Sequence, residues 1–588
     1  MIPERLGLTS REIGAPRRCG YHVVTLSRAF VPYPFKAREY AARVPDTAGV
    51  EHVPTAIIVG AGPVGLSVAL GLANQGVGCV VLEADSTVCI GSRAICISRR
   101  SLEIIDQLGA LPAFLSKGLP WTGGRSFYRD TPVLHFTMPH DQGQRLPPMI
   151  NIQQYYIEQF LLDACEARAD LIDIRWQSRA TDIEQGPDGV RLRVQTPAGE
   201  YRLHTAWLIG CDGARSVVRE AAGLKLQGTS YEGRYVIADV LCPTTRPVER
   251  LAWFDPPSNP GSTILMHRQP DDIWRIDYQL RNDEDPEAAA RPENVIPRLE
   301  AHLNMIGERA DWSPIWISLY RANALTADRY VQGRCLLAGD AAHLVPIFGV
   351  RGANSGFEDA HGLAWRLAWV IEGLAAPSLL EDYSRERVQA ARDNLRAGMK
   401  STEFMSPPTF AYELMRTAVL SLAPKHEWIR PLINPRQTQA STYLQDPSRL
   451  PGQEREFSAG PTPGATPAEA TLIIGGATGR RPGHLSELLG PRFTLLLFCD
   501  AAPPPALLEL AGTMNDAGIP WRLVPLFSRA RDFDGVHGID EYGRLTHAYG
   551  AVALSAYLIR PDGHVLARWR RADAAEIRSM IRRELRHE

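Results

Sequence analysis

The chain has 588 residues, with 64 basic against 66 acidic side chains, 45% hydrophobic and 22% charged residues. That length exceeds what one hydrophobic core supports and predicts about three or four domains. The near-neutral balance gives no pull toward nucleic acid or anionic membrane and favours a small-molecule ligand, and no apolar run approaches the roughly 18 residues of a membrane helix.

Residues 1–52 mix Arg, Glu and Pro without an apolar signal core. They read as a poorly ordered N-terminal extension, with a packed arm as the alternative, and not as a secretory peptide. The nine cysteines, from Cys19 to Cys499, include no C-x-x-C pair. Several lie in apolar runs, where a free thiol behaves as a small hydrophobe, and a reducing cytoplasm fits.

From Thr55 to Asp85 the sequence TAIIVGAGPVGLSVALGLANQGVGCVVLEAD carries a complete βαβ unit. Ala56 to Val59 predicts a buried strand, Gly60, Gly62 and Gly65 stand in G-x-G-x-x-G spacing, and a second buried strand, Cys79 to Leu82, ends on Glu83. Gly60 permits the tight turn, Gly62 lets the backbone approach a pyrophosphate, and Gly65 lets the helix pack on the strand. Pro63 and Val64 open the helix, whose free N–H groups favour phosphate, while Glu83 suits a ribose diol. The unit indicates a dinucleotide without saying which; its alternative is a glycine-rich structural turn.

Next, SRAICISRRSLEIIDQLGAL, Ser92 to Leu111, predicts a basic turn and an amphipathic helix from about Ser101. Arg93 is placed there either to reach cofactor phosphates or as a surface arginine beside a helix start. A helix from Gln154 to Ala167 opens with Gln154 and Glu158 one turn apart. VRLRVQT and EYRLHTAWLIG follow as strands, the second ending in CDGARSVVRE, where Asp212 and Gly213 form a sharp turn suited to phosphate or ribose. Short β-rich runs between Tyr231 and Tyr320 predict a mostly antiparallel layer inserted into the nucleotide-binding domain. Cys335 to Ala338 then delivers Gly339 and Asp340, and a long helix starts near Asn354, making a second anion-binding edge. Asp340 suits a ribityl hydroxyl, its alternative being a helix cap, and amides near Gly352, Ala353 and Asn354 suit a polar ring edge. Helix continues from Leu379 to Phe404, and SAGPTPGATP, Ser458 to Pro467, marks a boundary. Beyond it, FTLLLFC, RLVPLF and AYLIRPDGHVLARW predict strands and a hairpin before a final helix, Ala574 to Leu585, capped by Asp573.

GAGPVG at Gly60, CDG at Cys211 and AGDAAH at Ala338 to His343, in that order, resemble the class A flavoprotein monooxygenases, single-component FAD-dependent aromatic hydroxylases. SRAICISRRSLEI, INIQQYYIEQFL, HRQPDDIWRIDYQL and FGVRGANSGFEDAHGLAWRLA are similar to the 3-(3-hydroxyphenyl)propionate hydroxylase group. The resemblance implies an α/β chain with an N-terminal extension at 1–52 and a Rossmann-like FAD-binding domain at 53–230 and 321–405. A substrate-binding β-sheet domain at 231–320, a helical segment and Pro/Gly-rich linker at 406–467, and a thioredoxin-like domain without C-x-x-C at 468–588 complete it.

It further implies that Gly60, Gly62, Gly65 and Glu83 hold the ADP half of FAD. Arg93 and Gln154 would contact the phosphate-to-ribityl portion, Gly339 and Asp340 the ribitol and pyrophosphate, and Gly352 to Asn354 the flavin ring edge. Asp212 and Gly213 match a motif serving both FAD and NAD(P)H. Many members read G-G-Q-G-x-N where this chain has Gly349-Val350-Arg351-Gly352-Ala353-Asn354, so Arg351 brings a cation close to the expected substrate side.

The implied activity is hydroxylation of a phenolic or related aromatic substrate with NADH or NADPH and O2, through a flavin C4a-hydroperoxide, as in aromatic catabolism. A substrate-activating base is expected from the inserted sheet, with His267, Asp277 and Tyr278 as candidates. Pro346 matches a proline beside the reacting oxygen, and His343 reads as structural. No metal, nucleic acid or membrane span is expected, the location is cytoplasmic, and a homodimer is left open. The alternatives are a same-fold flavoprotein with non-hydroxylating oxidoreductase chemistry and a flavin-binding scaffold. A tryptophan-type halogenase would carry W-x-W-x-I-P, which Trp312 to Ile317, WSPIWI, does not match.

Overall fold

A computed structural model describes residues 28–43, 49–281, 283–346, 348–433 and 437–586. Cys19 and much of the extension lie outside that set. Residues 28–43 follow the packed-arm alternative and not the poorly ordered extension: they form an extended strap packed on the body. Phe35 stacks on Tyr155 at 4.7 Å and Tyr40 on Trp176 at 4.5 Å, contacts that oppose the entropy of ordering the segment.

The predicted βαβ unit forms from β1 (Val50–Val59), α1 (Pro63–Asn74) and β2 (Cys79–Leu82). β3 (Cys96–Ser98), α2 (Arg99–Gln107), α3 (Gln154–Glu166) and β4 (Gly199–Gly210) follow. β1 lies parallel to β2 on one side and to β4 on the other. The strand order is Val331–Gln332, Cys335–Leu337, β4, β1, β2, Ile172–Arg175, with Arg179–Gly186 and Gly189–Thr196 attached at β4. These central strands are apolar throughout because helices cover a parallel sheet on both faces; Ile57, Ile58 and Leu208 are fully buried.

The inserted layer is an eight-stranded, mostly antiparallel sheet. It contains β5 (Leu226–Leu241), β6 (Arg250–Phe254), β7 (Thr263–Arg268), β8 (Ile273–Gln279) and β9 (Ser313–Ala327). It reaches beyond the expected 231–320: Gly123–Tyr128 pairs in parallel with β6, and Thr131–Thr137 pairs with that strand in turn. Period-2 alternation splits its side chains between two environments. Val236, Trp253, Met266, Trp274, Ile276 and Tyr278 pack beneath the helix Pro292–Met305. Tyr235, Phe254 and Leu265 face the nucleotide domain, where Phe348 joins them.

α4 (Gly352–Ile371) and α5 (Leu379–Met405) return the chain to the nucleotide domain, and α6 (Phe410–Leu422) caps the Tyr235–Phe254 face through Val419 and Leu420. The C-terminal sheet includes β10 (Phe493–Cys499), β11 (Trp521–Phe527), β12 (Ala556–Ile559) and β13 (Val565–Trp569), in the order β11, β10, β12, β13. β10 and β11 are parallel, and β12 and β13 form the predicted hairpin. Asp573 caps the final helix, accepting from the Glu576 amide at 2.9 Å. At the hairpin tip Asp562 is buried against the nucleotide domain, accepting from Arg560 at 2.8 Å and from Trp365 Nε1 at 3.2 Å. The C-terminal domain is therefore seated by charges that depend on one another for compensation.

Candidate active site

Close packing of small residues brings two helix N-termini to one cleft. A Cβ on Gly71 of α1 would come within 2.6 Å of Ala364 on α4, and Val64 fills the space beside Gly339 and Gly356, where added Cβ atoms would lie 2.9 and 2.5 Å from it. Neither α1 nor α4 has a side-chain N-cap. Their first amides thus remain available to an anionic or polar ligand. Gly60 adopts φ 101°, and a Cβ there would strike the Cys211 carbonyl at 2.5 Å; one on Gly65 would lie 1.9 Å from the Gly60 carbonyl oxygen. Gly62 faces open space, with nothing within 4 Å of its Cβ position.

Carboxylates ring this cleft. Glu83 accepts from the Ala61 amide at 2.7 Å and the Asp85 amide at 2.9 Å, so it shapes the glycine turn as well as facing the ribose position. Asp212 accepts from the Val217 amide at 2.7 Å, while its Oδ1 is buried without a partner among the described residues. Arg219 ties this segment to the Gly-Asp turn, donating to the Ala341 carbonyl at 3.0 Å. Asp340 has an accessible face at the cleft floor but is otherwise enclosed, and that burial pushes its pKa up against the opposing pull of His343 and Arg93. His343 is structural, as expected: its Nε2 meets Asp359 at 2.7 Å, deep in the core.

Arg93 is exposed on the opposite side of the cleft. Gln154, expected to contact the cofactor, is engaged with the Arg93 turn and within its own helix. Its Oε1 accepts from the Arg93 and Ala94 amides at 3.2 and 3.1 Å, and its Nε2 donates to Glu158 at 2.8 Å. Gln154 therefore orders the Arg93 turn.

At the far end, Asn354 Oδ1 accepts from the Ser98 amide at 2.9 Å and Ser101 Oγ at 2.7 Å, and its Nδ2 donates to the Val350 carbonyl at 2.6 Å. Val350 is held at φ 52°, an uncommon conformation for a β-branched residue. Pro346 is buried beside Gly398 of α5. Arg351 is buried beside Gly398 of α5, as Pro346 is, and donates to Asn394 Oδ1 at 2.8 Å.

The inserted sheet separates the three proposed bases. His267 and Asp277 lie on the face toward the nucleotide domain, in register with Arg275 and Leu265 respectively. Tyr278 is on the opposite face, packed with Trp274 and Ile276 under Arg298, and is withdrawn as a catalytic candidate. Burial and the nearby Arg250 and Arg275 lower the His267 pKa to about 3, leaving a neutral imidazole. Burial raises the Asp277 pKa to about 7, moderated by Arg275 at 4.0 Å. Asp277 Oδ1 has no hydrogen-bond partner among the described residues. Alternation along IWRIDYQ was the available signal that Asp277 and Tyr278 could not share a face. Asp239, Arg275 and Asp359 were missed because their partners are distant in sequence.

Uncapped amides opposite phosphate positions, open space at Gly62, and carboxylates placed for ribose and ribitol hydroxyls together fit FAD. A parallel nucleotide-binding sheet with two such helix ends beneath an inserted antiparallel sheet defines a flavoprotein class. The chain belongs to the family described as FAD binding domain, whose model matches residues 53–397. Over 337 residues it is 32% identical to 3-(3-hydroxy-phenyl)propionate/3-hydroxycinnamic acid hydroxylase of Mycolicibacterium smegmatis, covering 57% of this chain and 58% of that relative, less than two thirds of its length. It is 26% identical over 569 residues to 6-methylpretetramide 4-monooxygenase of Streptomyces rimosus, covering 90% and 93% of the two chains. The flavin-dependent monooxygenase PieE, solved with FAD and substrate, shares the fold with a TM-score of 0.76 at 24% identity, over 92% of this chain and 100% of that one. Among the described residues no helix is long and apolar enough to cross a membrane.

Proposed function

We propose that this protein is an FAD-dependent monooxygenase that hydroxylates a phenolic or related aromatic substrate, using NADH or NADPH and O2. The observation that carries this reading is the face of the inserted sheet turned toward the FAD cleft, where buried Asp277 stands in register between Ile237 and Leu265 with Arg275 at 4.0 Å, on the same sheet face as Tyr235. Family membership and the hydroxylase and monooxygenase names of the relatives support it.

Bound FAD would supply hydride acceptance from the nicotinamide and activation of O2. The Gly60 to Gly65 turn, Glu83, Asp212 and Asp340 would hold the dinucleotide, with Arg93 opposing its negative charge. Amides of Gly352, Ala353 and Asn354 would face the ring edge and stabilise negative charge there. Asp277 would take the phenolic proton. Its conjugate acid, near pKa 7, is matched to neutral pH, whereas His267, near 3, is the weaker base by roughly 5 kcal/mol in proton affinity. The apolar lining would exclude water from the reacting centre.

We also read residues 468–588 as a thioredoxin-like domain without redox activity, on the order β11, β10, β12, β13 and the lack of C-x-x-C. The free cysteines support a reducing, cytoplasmic setting.

The test is NAD(P)H oxidation by the yellow holoenzyme across a panel of monocyclic and polycyclic phenols, with product analysis. Hydroxylated product in proportion to NAD(P)H consumed is expected. Formation of H2O2 alone with every phenol would favour the alternative, a same-fold flavoprotein that does not hydroxylate.

A further inference from the structure

The strap formed by residues 28–43 spans two domains. At one end Arg28 lies over the Trp312 ring at 4.4 Å, and the Val31 amide donates to the Pro314 carbonyl at 3.0 Å, both in the inserted domain. At the other, Phe35 stacks on Tyr155 of α3, and the Tyr40 amide donates to the Ser86 carbonyl at 2.8 Å. Between these anchors, Tyr33 Oη donates to Asp239 Oδ2 at 2.6 Å.

Asp239 is buried and forked with Arg275, Nε to Oδ1 at 2.6 Å and Nη2 to Oδ2 at 3.0 Å. Arg275 donates onward to the Ser92 carbonyl and, at 3.4 Å, to the Arg93 carbonyl. From the other side Gln154 Oε1 accepts the Arg93 amide. The Arg93 backbone is thus held on both its amide and its carbonyl, while its side chain stands exposed within electrostatic reach of Asp340. A buried ion pair keeps its geometry when further hydrogen bonds satisfy its remaining lone pairs, and the Tyr33 hydroxyl supplies one from the strap.

We infer that the N-terminal strap is a positioning element for cofactor binding, in which Tyr33, through Asp239 and Arg275, fixes the Arg93 turn against the FAD cleft. Arg93 acts on the dinucleotide; Tyr33 acts through it. The inference rests on the FAD reading of the cleft and not on hydroxylation, so its readout is flavin affinity.

The full-length chain, stripped of flavin, is titrated with FAD by flavin fluorescence, and its thermal unfolding is followed in parallel. Tyr33→Phe is expected to raise the FAD Kd about tenfold, the scale of one hydrogen bond to a charged group. Phe35→Leu, which loosens the strap while keeping the hydroxyl, is expected to lower Tm and leave Kd within about twofold. If Tyr33→Phe does not fold, Asp239→Asn takes its place, with the same rise expected. An unchanged Kd in the folded variant overturns the inference, whatever happens to Tm. So does an equal rise in Phe35→Leu, which would assign the effect to strap order and not to the relay.

Discussion

Asp359, midway along α4, accepts the Gly339 amide on Oδ2 at 2.9 Å, joining the long helix to the Gly-Asp turn. The same oxygen meets His343 Nε2 at 2.7 Å, and Arg387 Nε donates to Oδ1 at 2.6 Å. Burial disfavours the Asp359 carboxylate, yet Arg387 and His343 outweigh it and hold its pKa below the usual range. Asp359→Ala should therefore cost about 3–5 kcal/mol in denaturant unfolding, because Arg387 is left buried and undercompensated. A depressed carboxylate contributes stability above its unfolded pKa and loses it as pH falls through the folded one. The gap between the native chain and the variant should shrink below about pH 4.

Gly62 and Gly65 separate binding from folding. Gly62→Ala adds a methyl to open space and should leave flavin-free stability within about 1 kcal/mol while weakening FAD binding. Gly65→Ala drives a methyl to 1.9 Å from the Gly60 carbonyl oxygen and should lose both flavin and stability. Flavin content and unfolding curves of the pair check this; equal behaviour would refute the assignment of Gly62 to pyrophosphate approach.

Asp340 is exposed at the Gly-Asp turn. Asp340→Ala should yield protein with little bound flavin, read from the ratio of flavin to protein absorbance, with an otherwise normal unfolding transition. Full flavin retention would remove Asp340 from the binding set.

Asp277 sets the pH dependence. Its raised pKa means that ionisation of the native carboxyl is incomplete below about 7, so turnover should rise as pH passes through that value. The same shift removes some stability as pH rises from the ordinary carboxylate range to about 7, because there the unfolded carboxyl ionises while the buried native one keeps its proton. Asp277→Asn should abolish the acid limb and lower hydroxylation about 100-fold or more while FAD stays bound. Tyr278→Phe, on the opposite face with a buried hydroxyl that has no partner among the described residues, should leave the rate within about twofold.

Much of the nucleotide site was legible because its signals are local. Gly60, Gly62 and Gly65 act through backbone geometry within one turn, and Asp573 caps the helix that directly follows it. The inserted sheet was legible only as a composition of short strands. Its recruitment of Gly123–Thr137 depends on pairing between segments more than 100 residues apart, for which single-sequence patterning offers no register. The Arg351–Asn394 hydrogen bond likewise joins residues 43 positions apart and has no local signal.

By itself the sequence determined that the chain carries a dinucleotide-binding βαβ unit, a strand ending in the Gly-Asp turn, a long helix after it, and strands and a hairpin within residues 468–588. These follow from φ freedom, helix-end charge and apolar periodicity, which operate over a few residues. Only the tertiary structure decided which strand side chains face the nucleotide domain, that Asp277 and not Tyr278 does so, and that the N-terminal strap reaches the Asp239–Arg275 pair through Tyr33. Those outcomes depend on sheet register and on desolvation by residues distant in the chain, and burial shifts a carboxyl's pKa only after those partners have met.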